Sequence, residues 1–210
     1  MMKVTFTLLT GAVLALYISF KAFQQGGLFS WHPICASLGP LFFGTASIFA
    51  VRSRHSVQGI QPKTLRVQLH AILNDVAMIS MVAGTVAIFI VKGEAGKPHF
   101  TSWHSWIGLL TLALWVISIA SAALNTVDLK GKRLWYMWRS RTHRWLGVAA
   151  YSSALATVSL GIHSSWALRT LGGEQYSWVM TLIVCAILTS VVAQGLGGSV
   201  TGRRAGGKNA

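Results

Sequence analysis

This sequence predicts an all-α polytopic membrane protein: six transmembrane helices, with helices two to five forming a four-helix core and helices one and six flanking it. Three observations carry that reading. Of 210 residues, 53% are hydrophobic and only 10% charged, at a mean hydropathy of +0.55; a soluble domain would lack the polar surface to stay in water. Charge is confined to short segments: 4–20, 22–51, 98–127, 145–168 and 175–202 carry none, and 67–91 carries only Asp75. Four of the seven histidines, His32, His70, His104 and His143, fall at the ends of four successive apolar runs.

A helix needs roughly 20 apolar residues to cross the hydrocarbon, so the runs predict spans at about 4–22, 31–51, 67–91, 103–124, 143–167 and 176–197. Lys3 before an apolar run would also suit a signal peptide, but Ser19-Phe20-Lys21-Ala22-Phe23 offers no small-x-small cleavage site, so the first run is expected to be an uncleaved anchor. Alternating spans place Lys3, Arg52, Arg54, Lys63, Arg66, Lys130, Lys132, Arg133, Arg139, Arg141, Arg144, Arg203, Arg204 and Lys208 on one side, 14 of the 18 basic residues, against Lys21, Lys92, Lys97 and Arg169 on the other. The positive-inside rule then puts both termini in the cytosol. The net charge of +14 is therefore mainly a topology signal, with anionic lipid or substrate as secondary partners and no nucleic acid. Trp31, Trp103, Trp106, Trp166 and Trp178 cluster at the outer boundaries and Trp135, Trp138 and Trp145 near the inner one, as interfacial belts do; Trp115 is mid-span. Cys35 and Cys185 lie in apolar runs and imply no disulfide framework. The chain reads as one domain over 1–210, its core at about 5–200, with a mobile cytosolic tail over 201–210 that lacks packing residues.

In this topology His32 and His104 start helices two and four from the outer face, and His70 and His143 start helices three and five from the cytoplasmic face. Imidazole binds many metals. Tetrahedral zinc wants four protein ligands, and neither pair has a cysteine or acid beside it. Haem iron wants two, since the porphyrin supplies the others, and an apolar slot between helices suits the ring. Helix four starts His104-Ser105-Trp106-Ile107-Gly108 and helix five His143-Arg144-Trp145-Leu146-Gly147. Gly108 and Gly147, one turn beyond each histidine on the same face, remove bulk where a macrocycle would lie, or serve plain helix packing. Asn74 holds the corresponding position after His70, its amide able to reach a ligand or a porphyrin edge. At about 1.5 Å per residue the two irons would stand about 20 Å apart along the membrane normal. Asp75 is expected to face the interior and bond to Asn74, Ser80 or helix five. His163, about 200° around its helix from His143, should face away from a haem there, and His55 reads as a loop residue. Lys63 and Arg66, seven and four residues before His70, lie on roughly its side of the helix and are the sharpest candidates for attracting an anionic substrate.

Ser102-Trp103-His104-Ser105-Trp106-Ile107-Gly108 resembles the Ser-Leu-His-Ser-Trp-x-Gly signature of the eukaryotic-type transmembrane cytochrome b561 proteins, with Trp103 in place of leucine. Leu28-Phe29-Ser30-Trp31-His32-Pro33 resembles the same family's start to the second helix, and the histidine separations of 38, 34 and 39 residues are similar to its ligand spacing. The resemblance covers about residues 5–200. It departs at Phe49-Ala50-Val51-Arg52-Ser53-Arg54, where two arginines remain but the aromatic positions of the family's basic segment differ.

The resemblance implies two haem b groups, each bis-histidine ligated: His32 and His104 on the outer iron, His70 and His143 on the cytoplasmic one. It implies oxidation of cytosolic ascorbate and reduction of monodehydroascorbate or a ferric chelate on the other side, with Lys97 and His99 near the outer substrate. A homodimer in an endomembrane, reticulum or vesicle, or in the plasma membrane is also implied. The competing readings are a haem-free proton or metal transporter using Asp75 and the histidines, which would show midplane ligands and broken helices, and a dihaem cytochrome b that oxidises a quinol.

Overall fold

The computed structural model describes residues 2–52, 63–126 and 141–204. Six helical spans long and apolar enough to cross a membrane are present, as the charge-free runs predict, and among the described residues there is no strand. Helix α1 covers Met2–Phe23. The second span is composite: a 3-10 turn over Leu28–Ser30, α2 over Trp31–Leu38, a π-helical segment over Gly39–Gly44, and α3 over Thr45–Arg52. Then follow α4 over Lys63–Glu94, α5 over Trp103–Thr126, α6 over Arg141–Ile162, the short α7 over Ser165–Thr170 and α8 over Glu174–Arg204.

Two boundaries differ most from the sequence expectation. The fifth span stops at Ile162 instead of 167, because Ser164 turns extended (ψ 154°) and its hydroxyl accepts the Ala167 N–H at 3.3 Å, capping α7. The last helix continues through Arg204, so the expected tail starts inside it, and residues 205–210 lie outside the described residues.

Apolar side chains face outward along the spans, as hydrocarbon solvent allows: Val13 is 66% exposed, Ile79 67% and Leu182 68%. Trp31, Trp103, Trp106, Trp145 and Trp178 are exposed near helix ends, where interfacial aromatics belong, and Trp166 is half-buried; Trp135 and Trp138 lie outside the described residues.

Packing sorts the core into two antiparallel pairs. The second span lies along α4, and α5 lies along α6, whereas α4 and α5 scarcely touch. A slot therefore separates the pairs. It is closed in the middle by the π segment, which reaches α6: Thr45 Oγ1 meets Tyr151 Oη at 2.7 Å, and Trp115 and Tyr151 both pack close to Gly44. Pro40, which has no N–H and cannot continue an ordinary α ladder, explains the π turn. The Thr45 hydroxyl donates to the Pro40 carbonyl at 3.2 Å, so Tyr151 is the donor in the bond between them. Tyr151→Phe should cost about 1 kcal/mol, the scale of a side-chain hydrogen bond between membrane helices, read as a modest shift in unfolding in detergent with both ends of the slot still intact; a loss of the fold would mean that this closure governs assembly.

Candidate functional site

The four histidines meet in pairs across the slot. His32 and His104 stand at one end with ring centres 5.9 Å apart and planes at 89°. At the other end, His70 and His143 are 6.2 Å apart at 87°. A metal ion bound by one nitrogen of each ring would space the centres at about 6.2 Å, from two bonds of about 2.0 Å and ~1.1 Å within each ring. Both pairs have that spacing.

Each ring is also held from behind. His32 Nδ1 donates to the Gly84 carbonyl at 2.9 Å, His70 to Ser47 at 3.0 Å, His104 to Thr157 at 3.0 Å and His143 to Ser118 at 3.3 Å. A carbonyl can only accept, so all four rings carry the proton on Nδ1 and keep the lone pair on Nε2, as ligating histidines do. The pattern is reciprocal within each helix pair. Three helices carry the accepting carbonyl 14 residues after their own histidine: 70 to 84, 104 to 118, 143 to 157. In the second span the step is 15, from 32 to 47, and the additional residue is the one the π segment inserts. Fourteen residues rise about 21 Å, so the two pairs stand about that far apart along the bundle.

Among the described residues no group of three or more His, Cys, Asp or Glu converges, so whatever metal two histidines hold must bring its other ligands with it. At the His104 end there is room for such a group: a cavity of about 490 Å³, within the range of cofactor sites, whose walls include both rings, Pro33, Thr85, Gly108 and Val158. Gly84 lets α2 approach closely; a Cβ there would lie 3.0 Å from the His32 carbonyl oxygen.

A eukaryotic cytochrome b561 family model matches residues 31–168, the stretch that holds all four histidines. The chain belongs to that family. Transmembrane reductase CYB561D2 of Mus musculus is 27% identical over 84% of this chain and 78% of its own length; probable transmembrane reductase CYB561D1 of Mus musculus is 30% identical over 74% and 67%. Transmembrane ascorbate ferrireductase 2 of Arabidopsis thaliana is 28% identical over 71% of this chain and 67% of its own length. Membership in the cytochrome b561 family makes this an integral membrane oxidoreductase and implies haem b as its cofactor.

The remaining sequence candidates are placed as follows by the described residues. Gly108 lines the cavity, and a Cβ on it would meet only Thr157 Cγ2, at 3.4 Å. Gly147 is less confined, with Ser118 Oγ at 3.9 Å as its nearest neighbour. Asn74 bonds to Ser47 Oγ and to the His70 carbonyl at 2.9 Å, with its nitrogen 3.3 Å from each ring nitrogen of His70, so it braces that histidine. Arg66 is half-buried one turn before His70, and its Nε and Nη1 are buried without a hydrogen-bond partner among the described residues. Lys63 opens α4, but its side chain lies outside the described residues, as do Arg54, His55, Lys130, Lys132, Arg133 and Arg139. His99 lines the cavity and stacks on Phe89 at 4.3 Å, while Lys97 is exposed beside it. His163 faces α8, its Nε2 3.0 Å from Thr181 Oγ1, away from both pairs as its rotation requires.

Asp75 corrects the expectation. It is exposed on the outer face of α4, with no hydrogen bond to Asn74, Ser80 or α6; Ser80 bonds instead to the Cys35 carbonyl at 3.0 Å. Since Asn74 turns inward to His70, its neighbour is carried about 100° around the helix and out of the core. Sequence reasoning missed the four carbonyls, Lys92 on the cavity wall, and Gly161, where a Cβ would stand 3.0 Å from His104 Cε1.

Proposed function

We propose that this protein passes single electrons across the membrane through two b-type haems, from cytosolic ascorbate to monodehydroascorbate or a ferric chelate on the other side. The observation that carries the reading is the matched pair of histidine sites, each of two perpendicular rings held through Nδ1 by a carbonyl, about 21 Å apart on four consecutive helices. His32 and His104 would hold the outer iron, His70 and His143 the cytoplasmic one, with Gly108 leaving space for the outer ring. Bound there, haem supplies a one-electron carrier whose iron cycles between ferrous and ferric without an open coordination position. The chain's own residues orient the rings, exclude water from the slot and keep the two sites apart with the Thr45, Trp115 and Tyr151 closure. Relatives named for ascorbate-dependent reduction support the donor: the ferrireductase of Arabidopsis thaliana and the transmembrane ascorbate-dependent reductase CYB561 of Homo sapiens. The distribution of basic residues supports the orientation, with both termini cytosolic. Asp75, an acid on the exposed face of α4, supports a homodimer that covers it, since an acid facing hydrocarbon costs about 2.5 kcal/mol or more. The test is reduction of an acceptor outside sealed vesicles by ascorbate trapped inside; no transfer with haem-loaded protein would overturn the reading.

At the cytoplasmic end the guanidinium of Arg66, whose Nε and Nη1 have no hydrogen-bond partner among the described residues, is suited to a carboxylate or enolate oxygen, and Lys63 stands one turn before it. Arg66→Gln with Lys63→Gln should raise the ascorbate concentration for half-maximal reduction about ten-fold, the scale of one charge-assisted hydrogen bond, and leave reduction by an uncharged donor nearly unchanged. Equal slowing with both donors would mean that these residues tune the haem or the fold instead.

A further inference from the structure

The outer cavity is lined mostly by apolar side chains with a few hydroxyls and histidines, and one full charge stands at its mouth. Lys92, near the end of α4, is half-buried and, among the described residues, is the one lysine or arginine on the cavity wall, with no aspartate or glutamate beside it there. Its position is held. Nζ donates to the Pro98 carbonyl at 3.2 Å, which ties the helix end to the segment that leads into α5. That segment folds over the opening as an aromatic cover: His99 stacks on Phe89, and Phe100, at a φ of 55°, packs against Phe89 at 5.5 Å and Trp106 at 5.4 Å. The ammonium has three donors, and Pro98 takes one. Lys92 forms no ion pair among the described residues, although Glu94 is two positions along. Two residues apart on a helix is about 200° of rotation, so that carboxylate points elsewhere. The charge is within electrostatic range of both His32 and His104.

A cation held at the rim of a mostly apolar cavity, tethered by a carbonyl and facing no acid, is a seat for an anion. We infer that Lys92 binds a carboxylate at the mouth of the outer cavity. Two sources share that chemistry: a propionate of the haem seated between His32 and His104, or an anionic electron acceptor docking against the cover. The inference rests on the dihaem reading above and assigns the outer site its charge selectivity. Lys97 is exposed and absent from the cavity wall, so it contributes to the surface potential and not to this contact.

The experiment uses the purified haem-loaded protein and its Lys92→Gln and Lys92→Arg variants. Haem content and the His104→Ala variant first establish that an outer haem exists; if wild type carries none, the dihaem reading fails and not the lysine. In one arm, transfer of haem to excess apomyoglobin measures retention of the outer group. In the other, the pre-reduced protein is mixed with ferricyanide, an anionic acceptor, or with hexaammineruthenium(III), a cationic one. A propionate contact predicts about ten-fold faster outer-haem loss in Lys92→Gln, with half-saturation for ferricyanide unchanged; an acceptor contact predicts about ten-fold weaker half-saturation for ferricyanide, with retention and the ruthenium reaction unchanged. Lys92→Arg should restore either behaviour. The inference is overturned if Lys92→Gln alters neither quantity, if it slows both acceptors equally, or if Lys92→Arg is as impaired as Lys92→Gln, which would leave Lys92 only the tether to Pro98.

Discussion

His104→Ala should leave a protein with one haem in place of two, unable to carry electrons across the membrane. The remaining haem should be the one between His70 and His143, still low-spin and still reducible from the cytosolic side. The expectation follows from independence of the two ends: the His70 and His143 rings donate to the Ser47 and Ser118 carbonyls, whereas His104 donates to that of Thr157, and the Thr45, Trp115 and Tyr151 closure lies between. Losing only the hydrogen bond behind a ligating histidine costs about 10–100-fold in metal affinity, and losing the ligand itself costs more. Haem absorbance per protein should fall by half, with no ascorbate-driven reduction of an external acceptor. His143→Ala should do the reverse: the outer haem remains and is no longer reduced by ascorbate. An unchanged haem-to-protein ratio in either variant would sink the ligand assignment. If each iron is held by two histidines as proposed, neither has an open position, and the intact protein should not bind carbon monoxide readily when reduced.

The spans were legible because hydrocarbon imposes a length and a charge rule on any helix that crosses it, and the pairing of histidines was legible because alternating spans fix which ends share a surface. What sequence did not display were contacts made by backbone atoms. The carbonyls of Ser47, Gly84, Ser118 and Thr157 have no side-chain signature, yet they set the tautomer of every paired histidine. A weaker trace exists. Fourteen residues is four turns short by only about 40°, so each accepting residue stands on nearly the same helical face as the histidine of its own helix, and the stripe could have been followed to the far end. The π segment hides the rule in the second span by adding one residue, and Pro40 alone does not announce a π turn. Asp75 was misplaced for the opposite reason. Its charge invited an interior partner, while the helical rotation relative to His70 and Asn74 placed it outside.

Gly161→Val should abolish the outer haem more completely than Gly108→Leu, and by a different route. Gly161 lies 18 residues after His143, five full turns, and so falls on the slot-facing side of α6 at the outer end. A Cβ there would be 3.0 Å from His104 Cε1 and 3.2 Å from its Nδ1, closer than side chains normally approach. Alanine would make the ring give by a few tenths of an ångström, and the ring's tie to the Thr157 carbonyl would give with it. Gly161→Ala should therefore keep the haem but alter its low-spin electron paramagnetic resonance signal, because the orientation of an axial imidazole changes. The branched side chain of Gly161→Val cannot be accommodated by so small a shift, and the outer haem should be lost. Gly108 has no ring against it; its Cβ would meet only Thr157 Cγ2, at 3.4 Å, with the cavity beyond. Leucine at 108 therefore fills volume that the macrocycle needs and lowers occupancy while leaving His104 where it is, so any haem still bound should show the wild-type signal. Gly147, whose nearest neighbour would be 3.9 Å away, should tolerate alanine with no change in either haem. Normal incorporation with an unchanged signal in Gly161→Val would mean that the His104 ring is not seated against α6, and Gly108→Leu with full occupancy would leave that glycine only a packing role between α5 and α6.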